Sequence, residues 1–527
     1  MTQLYSFQFL AFLVVALAAY YAVGRIFHKG QWIVLLVASM GFYLCSGWQN
    51  IFFILFTAVT VWLLGLAFSK YDARCKELRG ATSDKAERKA IKKRFAKRKW
   101  VVLLVGLIVN FGVLGYMKYW NTLLQGFGAG DAFTASELLL PLGISFYTFQ
   151  SIAYLIDTYN GKYDPERNFA KFLLFVSFFP QLIQGPINRY DALAEQLYAT
   201  RRLDLQMAKR GAILFGFGMM KKYAIANVLF SVVNNVLDSV DPGIPGSVVV
   251  FGILLYSAQQ YADFSGGIDM VRGVSQLFGI EMAENFRQPY FSVSLADFWR
   301  RWHITLGAWM RDYVFYPFAL RPTMGKLGKW AGKHMGKHMG RTLPACLANI
   351  LVFFLVGLWH GADAHFITWG LYNGIVIALA DLCAPLFTRM NTALHVNMEG
   401  RAHHIFCVIR TFIVVNIGWY FDRIYNFGDC LTALHNTVFN FDPGLLWAWL
   451  NAHPLDGFQA RIIIAAIGCL IVFIVSLRKE HGVDVTGRLL NLNIVVRCII
   501  YGLVFFFTVY AFIYAPASGG GFMYANF

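Results

Sequence analysis

The chain has 527 residues, of which 57% are hydrophobic, 17% aromatic and only 14% charged, and its formal net charge is +17. Together with a positive mean hydropathy, this composition excludes an ordinary soluble protein and is typical of a chain that crosses a membrane many times. The eight cysteines are scattered singly without a C-x-x-C pair, so neither a disulfide framework nor a zinc site is indicated.

Apolar stretches recur along the whole chain, and each approaches the roughly 20 residues that a membrane span needs. We therefore predict an all-α polytopic protein of the cell membrane, with roughly ten to thirteen transmembrane and re-entrant helices in a single domain over residues 1–527. The first stretch has no basic flank or cleavage site, which predicts a retained span. The main stretches are residues 9–23, 32–44, 51–68, 100–117, 347–358, 405–419, 461–477 and 498–514.

The basic residues are concentrated in two segments. Residues 70–99 contain thirteen Lys and Arg and four Asp and Glu, a local charge of +9. Residues 321–341 contain six Lys and Arg and no acidic residue. By the positive-inside tendency, both segments are predicted to be cytoplasmic loops. Basic loops beside membrane spans usually determine topology and contact anionic lipid, so we expect membrane lipid as a partner and no nucleic acid.

The middle of the chain is less purely apolar than its ends. Between residues 141 and 269 it is interrupted by Pro180, Gly185-Pro186, Pro242, Pro245 and Gly266-Gly267. This pattern predicts broken or re-entrant helices, which are tolerated at membrane depth only where protein or a water-filled cavity surrounds them. We therefore expect the functional region to lie within residues 141–374.

A short repeat places two histidines four residues apart, at His334 and His338. On one helix face this spacing can ligate a metal ion. No third histidine or carboxylate is nearby, and the glycines of the repeat weaken a helix. A solvated basic loop is the better interpretation, and no metal is expected.

Residues 297–313 can be interpreted as one helix at about 100° per residue. One side then combines a histidine and two arginines, which suits a polar cleft facing an anionic ligand. An interfacial amphipathic helix, with tryptophans at headgroup depth and arginines reaching phosphates, is the alternative. The first side consists of Arg300, His303, Gly307 and Arg311, and an aromatic stripe consists of Trp302, Leu306, Trp309 and Tyr313.

His360 ends a long apolar run, and a titratable side chain at membrane depth usually has a function. Two pairs of glycines at four-residue spacing, Gly357 with Gly361 and Gly370 with Gly374, allow close packing of helices in a membrane bundle. The histidine is therefore predicted to point into protein. In the structural alternative, it only forms a hydrogen bond with a backbone carbonyl.

No other enzyme motif competes with these histidines. The chain has no G-x-x-x-x-G-K-[ST] phosphate loop, no G-x-S-x-G elbow and no H-E-x-x-H. A neutral imidazole can take the proton of a hydroxyl group as that hydroxyl attacks a thioester, a step that a positioned general base accelerates by about 10²–10⁴-fold.

Four stretches in this order resemble the membrane-bound O-acyltransferase family, in the bacterial branch that includes the alginate O-acetyltransferase membrane protein and the D-alanyl-lipoteichoic acid transferase. The resemblance extends over nearly the whole chain. The stretches are 141–150 (PLGISFYTFQ), 178–187 (FFPQLIQGPI), 298–313, and 357–361 (GLWHG) with Trp369-Gly370.

The resemblance implies that His360 is the catalytic histidine and that His303 is a second functional histidine. It also implies a many-helix fold around a central tunnel, with no bound cofactor. The acyl donor is expected to be a cytoplasmic thioester, either acetyl-CoA or an acyl carrier protein. From their place on the predicted helix, Arg300 and Arg311 are candidates for binding donor phosphates or for closing the cytoplasmic mouth, and Trp302 and Trp359 are further candidates for substrate binding.

Our leading hypothesis is transfer of a small acyl group, most simply acetyl, to a cell-envelope or extracellular polysaccharide. The group reaches the polysaccharide directly or through an extracytoplasmic acyltransferase, which is the expected partner. The alternative is D-alanyl transfer from a carrier protein to teichoic acid. A solute transporter is a third hypothesis, but it predicts internal repeats, and the two halves of the chain show no convincing self-similarity.

Overall fold

The structure, a computed structural model, describes residues 6–126, 141–238, 240–452 and 457–515. These residues form α-helices and no β-strand, which confirms the predicted all-α class. The helices are α1 Phe7–Ile26, α2 Gln31–Leu44, α3 Asn50–Gly80, α4 Lys85–Gly126, α5 Ile144–Tyr159, α6 Phe169–Ser177, α7 Phe179–Gln184, α8 Tyr190–Tyr198, α9 Leu205–Lys221, α10 Val228–Leu237, α11 Gly246–Leu277, α12 Leu295–Arg301, α13 Ile304–Met310, α14 Tyr316–Ala319, α15 Pro322–His334, α16 Lys337–His360, α17 Ala364–Leu382, α18 Ala384–Ala393, α19 Arg401–Arg423, α20 Phe427–Phe439, α21 Pro443–Ala452, α22 Phe458–Glu480, α23 Val485–Leu490 and α24 Ile494–Tyr514.

Within the described ranges, nine helical segments are long and apolar enough to cross a membrane. The chain is therefore a multi-pass membrane protein, as predicted. The short apolar helix α2 is additional to these nine. The nine segments are Phe7–Ile26, Asn50–Gly80, Lys85–Trp120, Leu205–Leu237, Lys337–His360, Ala364–Leu382, Arg401–Arg423, Phe458–Glu480 and Ile494–Tyr514.

The basic segment 70–99 is almost entirely helical. Helix α3 continues to Gly80 and α4 begins at Lys85, so only a short turn separates them. The carboxylate of Asp84 accepts hydrogen bonds from the N–H groups of Ala86 and Glu87 at 3.0 and 3.2 Å. A carboxylate at this position satisfies free amides and stabilises the start of a helix. The positive charges therefore lie on the ends of two long apolar helices.

The described residues form two compact units. The first lies within Met1–Phe215 and Ile268–Ala283, and the second within Gly216–Gly267 and Glu284–Ala525. Two of the three boundaries between these ranges fall inside helices α9 and α11, and the third lies between α11 and α12.

The first unit contains the interrupted helices that the sequence predicts. Helices α6, α7 and α8 have only nine, six and nine residues, and every residue of α7 is buried. Two glutamine side chains, Gln150 and Gln181, donate to the carbonyl of Phe175 at 2.9 and 2.7 Å. Gln181 in turn accepts from the side chain of Asn188 at 3.2 Å. These bonds satisfy the backbone where α6 ends inside the protein, as buried polar groups require.

Helices α16 and α17 of the second unit pack with their backbones in contact. A Cβ atom on Gly357 would lie 2.5 Å from the carbonyl oxygen of Phe366, and one on Gly370 would lie 2.3 Å from that of Phe353. A Cβ on Gly374 would lie 3.0 Å from the Cα of Ile350. This contact confirms the close packing predicted from the glycine spacing.

Helix α11 carries a buried polar stretch, and part of it pairs with the residues around the end of α9. The carboxylate of Asp263 forms an ion pair with Lys222, with side chains 3% and 1% exposed. The ammonium of Lys221 donates to the hydroxyl of Ser265 at 2.9 Å. Lys222 begins a π-helical segment, Lys222–Asn227, all of it buried.

Replacing Gly370 with Ala is expected to lower the free energy of unfolding by about 1–3 kcal/mol, because the added methyl group overpacks the α16–α17 contact. Thermal denaturation of the purified protein in detergent would measure the effect. Gly112→Ala in α4 is the matched control, because its Cβ would meet no atom within 4 Å. Equal melting temperatures for the two variants would contradict the backbone contact.

Candidate active site

The predicted single helix over residues 297–313 is wrong. Helix α12 ends at Arg301 and α13 begins at Ile304. Between them, Trp302 is extended and His303 adopts the left-handed conformation with φ of 49°. A residue other than glycine with this φ is uncommon and needs other contacts to stabilise it. Arg300, His303 and Arg311 therefore do not share the side of one helix.

The left-handed turn is held by Asn285. Its side-chain oxygen accepts from the N–H and the hydroxyl of Thr305 at 3.0 and 2.9 Å, and its carbonyl accepts from the N–H of Ile304 at 3.0 Å. Beside it, Phe286 and Trp302 form an antiparallel bridge. The polar groups freed by the break between the helices are thus satisfied by a segment 18 residues upstream.

The same Asn285 oxygen lies 3.3 Å from Nδ1 of His303. The atom of the Asn285 side chain that faces His303 also receives the backbone N–H of Thr305. It must therefore be the amide oxygen and not the nitrogen. A ring nitrogen facing an acceptor carries the proton. We therefore assign the proton of the neutral imidazole to Nδ1, which leaves the lone pair on Nε2.

Aromatic rings surround this turn. The ring of His303 lies edge to face against Phe264, with centroids 4.9 Å apart. Trp302 is only 1% exposed and stacks on Phe298 with centroids 5.4 Å apart. His303 itself is 3% exposed. Burial lowers the pKa of His303, which lies outside the nine candidate spans, to about 3, so its imidazole is neutral at physiological pH.

His360 is the last residue of α16 and is 5% exposed. Its ring centroid lies 4.9 Å from that of Trp369 and 5.9 Å from that of Phe366, both on α17. A Cβ on the following residue, Gly361, would lie 2.4 Å from the ring of Phe366. As predicted, His360 points into protein, and the close approach of α17 places it there.

Trp359 connects the two histidines. Its ring centroid lies 6.3 Å from that of His303 and 4.9 Å from that of His360, and it is 5% exposed. Four of the six predicted site residues, Trp302 included, therefore lie in one buried aromatic cluster. Two buried imidazoles separated by one indole can orient an acyl group and move a proton in a site largely free of water.

The two predicted arginines lie outside this cluster. The side chain of Arg300 is 72% exposed and lies 3.7 Å from the carboxylate of Asp297. That of Arg311 is 57% exposed and lies 2.9 Å from the carboxylate of Asp312. Arg311 also begins a short π-helical segment that follows α13. Both cations are exposed, and each is paired with a neighbouring carboxylate.

Sequence reasoning missed two positioning residues, Asn285 and Asn373. The side-chain oxygen of Asn373 accepts from the indole N–H of Trp299 at 3.0 Å, and its amide donates to the carbonyl of Trp369 at 2.8 Å. It thereby joins α12 to α17. The sequence could have indicated Asn373, because it lies four residues after Trp369 and so on the same face of a helix. It could not have indicated Asn285, because no local pattern connects Asn285 with His303.

The histidine repeat forms no metal site in the described part of the chain. His334 ends α15 and His338 lies in α16, so they are not on one helix. Their rings donate to separate backbone carbonyls, those of Trp330 and Asp381, at 2.9 and 3.1 Å. No group of three or more potential metal ligands occurs among the described residues.

Comparison with known proteins identifies the class. Residues 166–415 match the model of MBOAT, the membrane-bound O-acyltransferase family, and this range contains both His303 and His360. A relative that aligns over most of both chains is 33% identical. The chain belongs to the membrane-bound O-acyltransferase family and is an acyltransferase, which counts against the transporter hypothesis.

The relatives carry three kinds of name. A probable alginate O-acetylase, AlgI, of Pseudomonas syringae is 33% identical over 471 residues, 88% of this chain and 79% of the relative. A peptidoglycan O-acetyltransferase of Helicobacter pylori is 32% identical over 376 residues, 65% of each chain. A teichoic acid D-alanyltransferase of Bacillus subtilis is 29% identical over 289 residues, 54% of this chain and 69% of the relative.

Replacing Asn285 with Leu is expected to lower the free energy of unfolding by about 1–3 kcal/mol, because the buried donors of Thr305 lose their acceptor. Acyl-transfer activity should fall as well, because the turn that orients His303 is no longer fixed. Thermal denaturation and activity would be measured on the same preparation. Asn160→Leu, at an exposed position, is the control; equal effects of the two substitutions would contradict the role of Asn285.

The low pKa of His303 predicts a specific loss of stability in acid. In the unfolded chain this histidine binds a proton below about pH 6.5, whereas in the folded chain it does so only near 3. The folded state is therefore destabilised progressively as the pH falls from 6.5. Melting temperatures from pH 8 to pH 5 should fall less in His303→Gln than in the unaltered protein, and parallel curves would show that His303 titrates normally.

Proposed function

We propose that this acyltransferase moves a small acyl group, most simply acetyl, from a cytoplasmic thioester to a hydroxyl of a cell-envelope or extracellular polysaccharide. The observation that carries the proposal is the burial of His303 and His360 on two sides of Trp359 in one aromatic cluster. Such a cluster excludes water, which would otherwise hydrolyse a thioester. The O-acetylase names of relatives covering most of this chain support acetyl as the group.

His360 acts as the general base in this proposal. Its imidazole takes the proton of the acceptor hydroxyl while the hydroxyl oxygen attacks the thioester carbonyl. A carbon–oxygen bond forms and the carbon–sulfur bond breaks, and the proton passes from the imidazole to the departing thiolate. The products are an ester and a free thiol. A route through an acyl-histidine uses the same residue as a transient acyl acceptor.

His303 has a supporting role. With its proton on Nδ1 and directed at Asn285, Nε2 presents a lone pair. A neutral acceptor of this kind can orient the hydroxyl or receive its proton. The low pKa caused by burial keeps the resting ring uncharged, so Nε2 accepts a hydrogen bond from the hydroxyl and holds a proton only in transit. Trp302 and Trp359 form apolar walls around the reacting groups, and Arg300 and Arg311 contact donor phosphates at the surface.

The donor is acetyl-CoA or an acyl carrier protein, and no bound cofactor takes part. Delivery to the polymer is either direct or through a separate extracytoplasmic acyltransferase, which then supplies the acceptor at His360 and passes the group on to the polysaccharide. D-alanyl transfer from a carrier protein to teichoic acid is the second candidate, supported by the D-alanyltransferase named among the relatives. That relative aligns with a smaller share of this chain than the O-acetylases do, which favours acetyl.

Replacing His360 with Ala is expected to reduce acyl transfer by about 10²–10⁴-fold, the usual contribution of a positioned general base. The readout is ester-linked acetate or D-alanine released by mild base from the envelope polysaccharide of cells producing each variant, measured by mass spectrometry. His404→Ala, at an exposed position in α19, is the matched control. Equal ester content in both strains, with equal amounts of protein in the membrane, would contradict the mechanism.

The same measurement distinguishes the two acyl groups. Loss of acetate alone in His360→Ala supports the leading proposal, and loss of D-alanine alone supports the second candidate. Purified membranes supplied with [¹⁴C]acetyl-CoA provide an independent check. Incorporation of label that depends on His360 but needs no carrier protein would argue against the D-alanyl hypothesis.

A further inference from the structure

A basic groove lies between α15 and the first turns of α16, inside the second unit. It has a volume of about 610 Å³, and its lining includes Lys329, Lys337 and Arg341. All three side chains are exposed. Among the residues that the structure describes, none of these cations forms an ion pair with a carboxylate. No part of the proposed acyl transfer uses this groove.

The groove exists because glycines bring the two helices together. A Cβ atom on Gly328 would lie 2.7 Å from the carbonyl oxygen of Gly340, and one on Gly340 would lie 2.7 Å from the Cα of Gly332. Much of the lining is therefore bare backbone, and the long basic side chains surround it. A Cβ on Gly325, which also lines the groove, would meet no atom within 4 Å.

The local charge is strongly positive. Residues 313–362 contain six Lys and Arg and no Asp or Glu. Arg321, Lys326 and Lys333 complete this set, outside the lining of the groove. In space, Asp381 of α17 lies beside His338, whose ring contacts its carbonyl at 3.1 Å, but the cations remain in excess, and such an excess attracts an anion. Three exposed cations around a backbone-lined hollow suit a phosphate group in particular.

The position along α16 places the groove at headgroup depth. Helix α16 is one of the candidate spans and begins at Lys337, so the groove lies where that span enters the membrane. Apolar side chains are exposed beside it: Trp330 is 54% exposed and Met335 52%. Tryptophan and lysine side by side are typical of a membrane interface.

Distance argues against the acyl donor as the source of the phosphate. Lys337 and His360 are the two ends of α16, a helix of 24 residues. At 1.5 Å per residue they lie about 35 Å apart along the axis. A donor with its phosphate in the groove would have to extend over that distance to place its thioester at His360. A phospholipid of the surrounding leaflet does not have to reach His360.

We propose that the groove between α15 and α16 binds the phosphate of an anionic phospholipid headgroup through Lys329, Lys337 and Arg341. The acyl chains of the lipid lie along the exposed apolar surface at Trp330 and Met335. The site is independent of the acyl-transfer chemistry proposed for His360.

The test uses the full-length protein, delipidated in detergent and incubated with an equal mixture of phosphatidylglycerol and phosphatidylcholine. Native mass spectrometry measures how much of each lipid remains bound. Preferential retention of phosphatidylglycerol is expected. At about fivefold for each cation, the triple variant Lys329→Gln, Lys337→Gln, Arg341→Gln should bind it roughly a hundredfold more weakly.

A charge-matched triple variant is the control. Lys89→Gln, Lys92→Gln and Arg94→Gln remove the same three charges from exposed positions of the other basic segment. Phosphatidylglycerol binding should fall by much less in this variant, because it loses only general attraction to anionic lipid. An equal loss in both triple variants would show a general charge effect and overturn the proposal. Displacement of the bound lipid by free acetyl-CoA would also overturn it, because the donor would then be the occupant.

A steric variant tests the groove without changing charge. Gly325→Leu fills the lined space and should reduce phosphatidylglycerol retention at least about tenfold, whereas Gly80→Leu, where a Cβ also meets no atom within 4 Å, should not. This pair keeps the proposal open to refutation if the triple variant fails to fold. Unchanged lipid binding in Gly325→Leu would mean that the lipid binds elsewhere.

Discussion

The site depends on the contact between the backbones of α16 and α17. Because Gly357 and Gly370 carry no side chains, the two helices approach closely enough for Trp369 to lie against His360. One turn further along α17, Asn373 accepts from the indole N–H of Trp299. This bond fixes α12, the helix that leads into His303. A single glycine contact therefore sets the positions of both histidines relative to Trp359.

The second constraint is a backbone conformation rather than a packing contact. The left-handed residue at His303 interrupts what would otherwise be a continuous helix and turns the imidazole toward Phe264. Asn285 supplies acceptors for the donors of Thr305, which would otherwise be buried without a hydrogen bond where the helix is interrupted. The strained backbone conformation therefore lies at His303, a residue predicted to be functional. Strained residues commonly occur at functional sites, where a specific geometry matters more than stability.

Local periodicity and composition predicted much of the fold. The apolar stretches identified the spans, and the prolines and glycines after residue 141 identified the short helices α6 to α8. The burial of His360 followed from glycines at four-residue spacing. These features are encoded within a few turns of one helix, which is the range over which a pattern in sequence is informative.

The turn at His303 could not be predicted for the same reason. Residues 297–313 have a helical pattern, and the hydrogen bonds that overrule it come from Asn285, which no local pattern connects to them. Similarly, the basic run between residues 321 and 341 was expected to be a loop, but it consists largely of α15 and the start of α16. Tertiary contacts between glycines stabilise these helices despite their weak intrinsic propensity.

The buried ion pair between Lys222 and Asp263 has a consequence for biogenesis. Lys221 and Lys222 both lie near the centre of the candidate span Leu205–Leu237, and a charged residue at the centre of a span costs about 2.5–3.5 kcal/mol. Their partners, Ser265 and Asp263, are on α11, which is synthesised only after that span is complete. The span therefore gains its full stability in the bilayer when α11 arrives, and the two segments are expected to leave the translocon as a pair rather than one at a time.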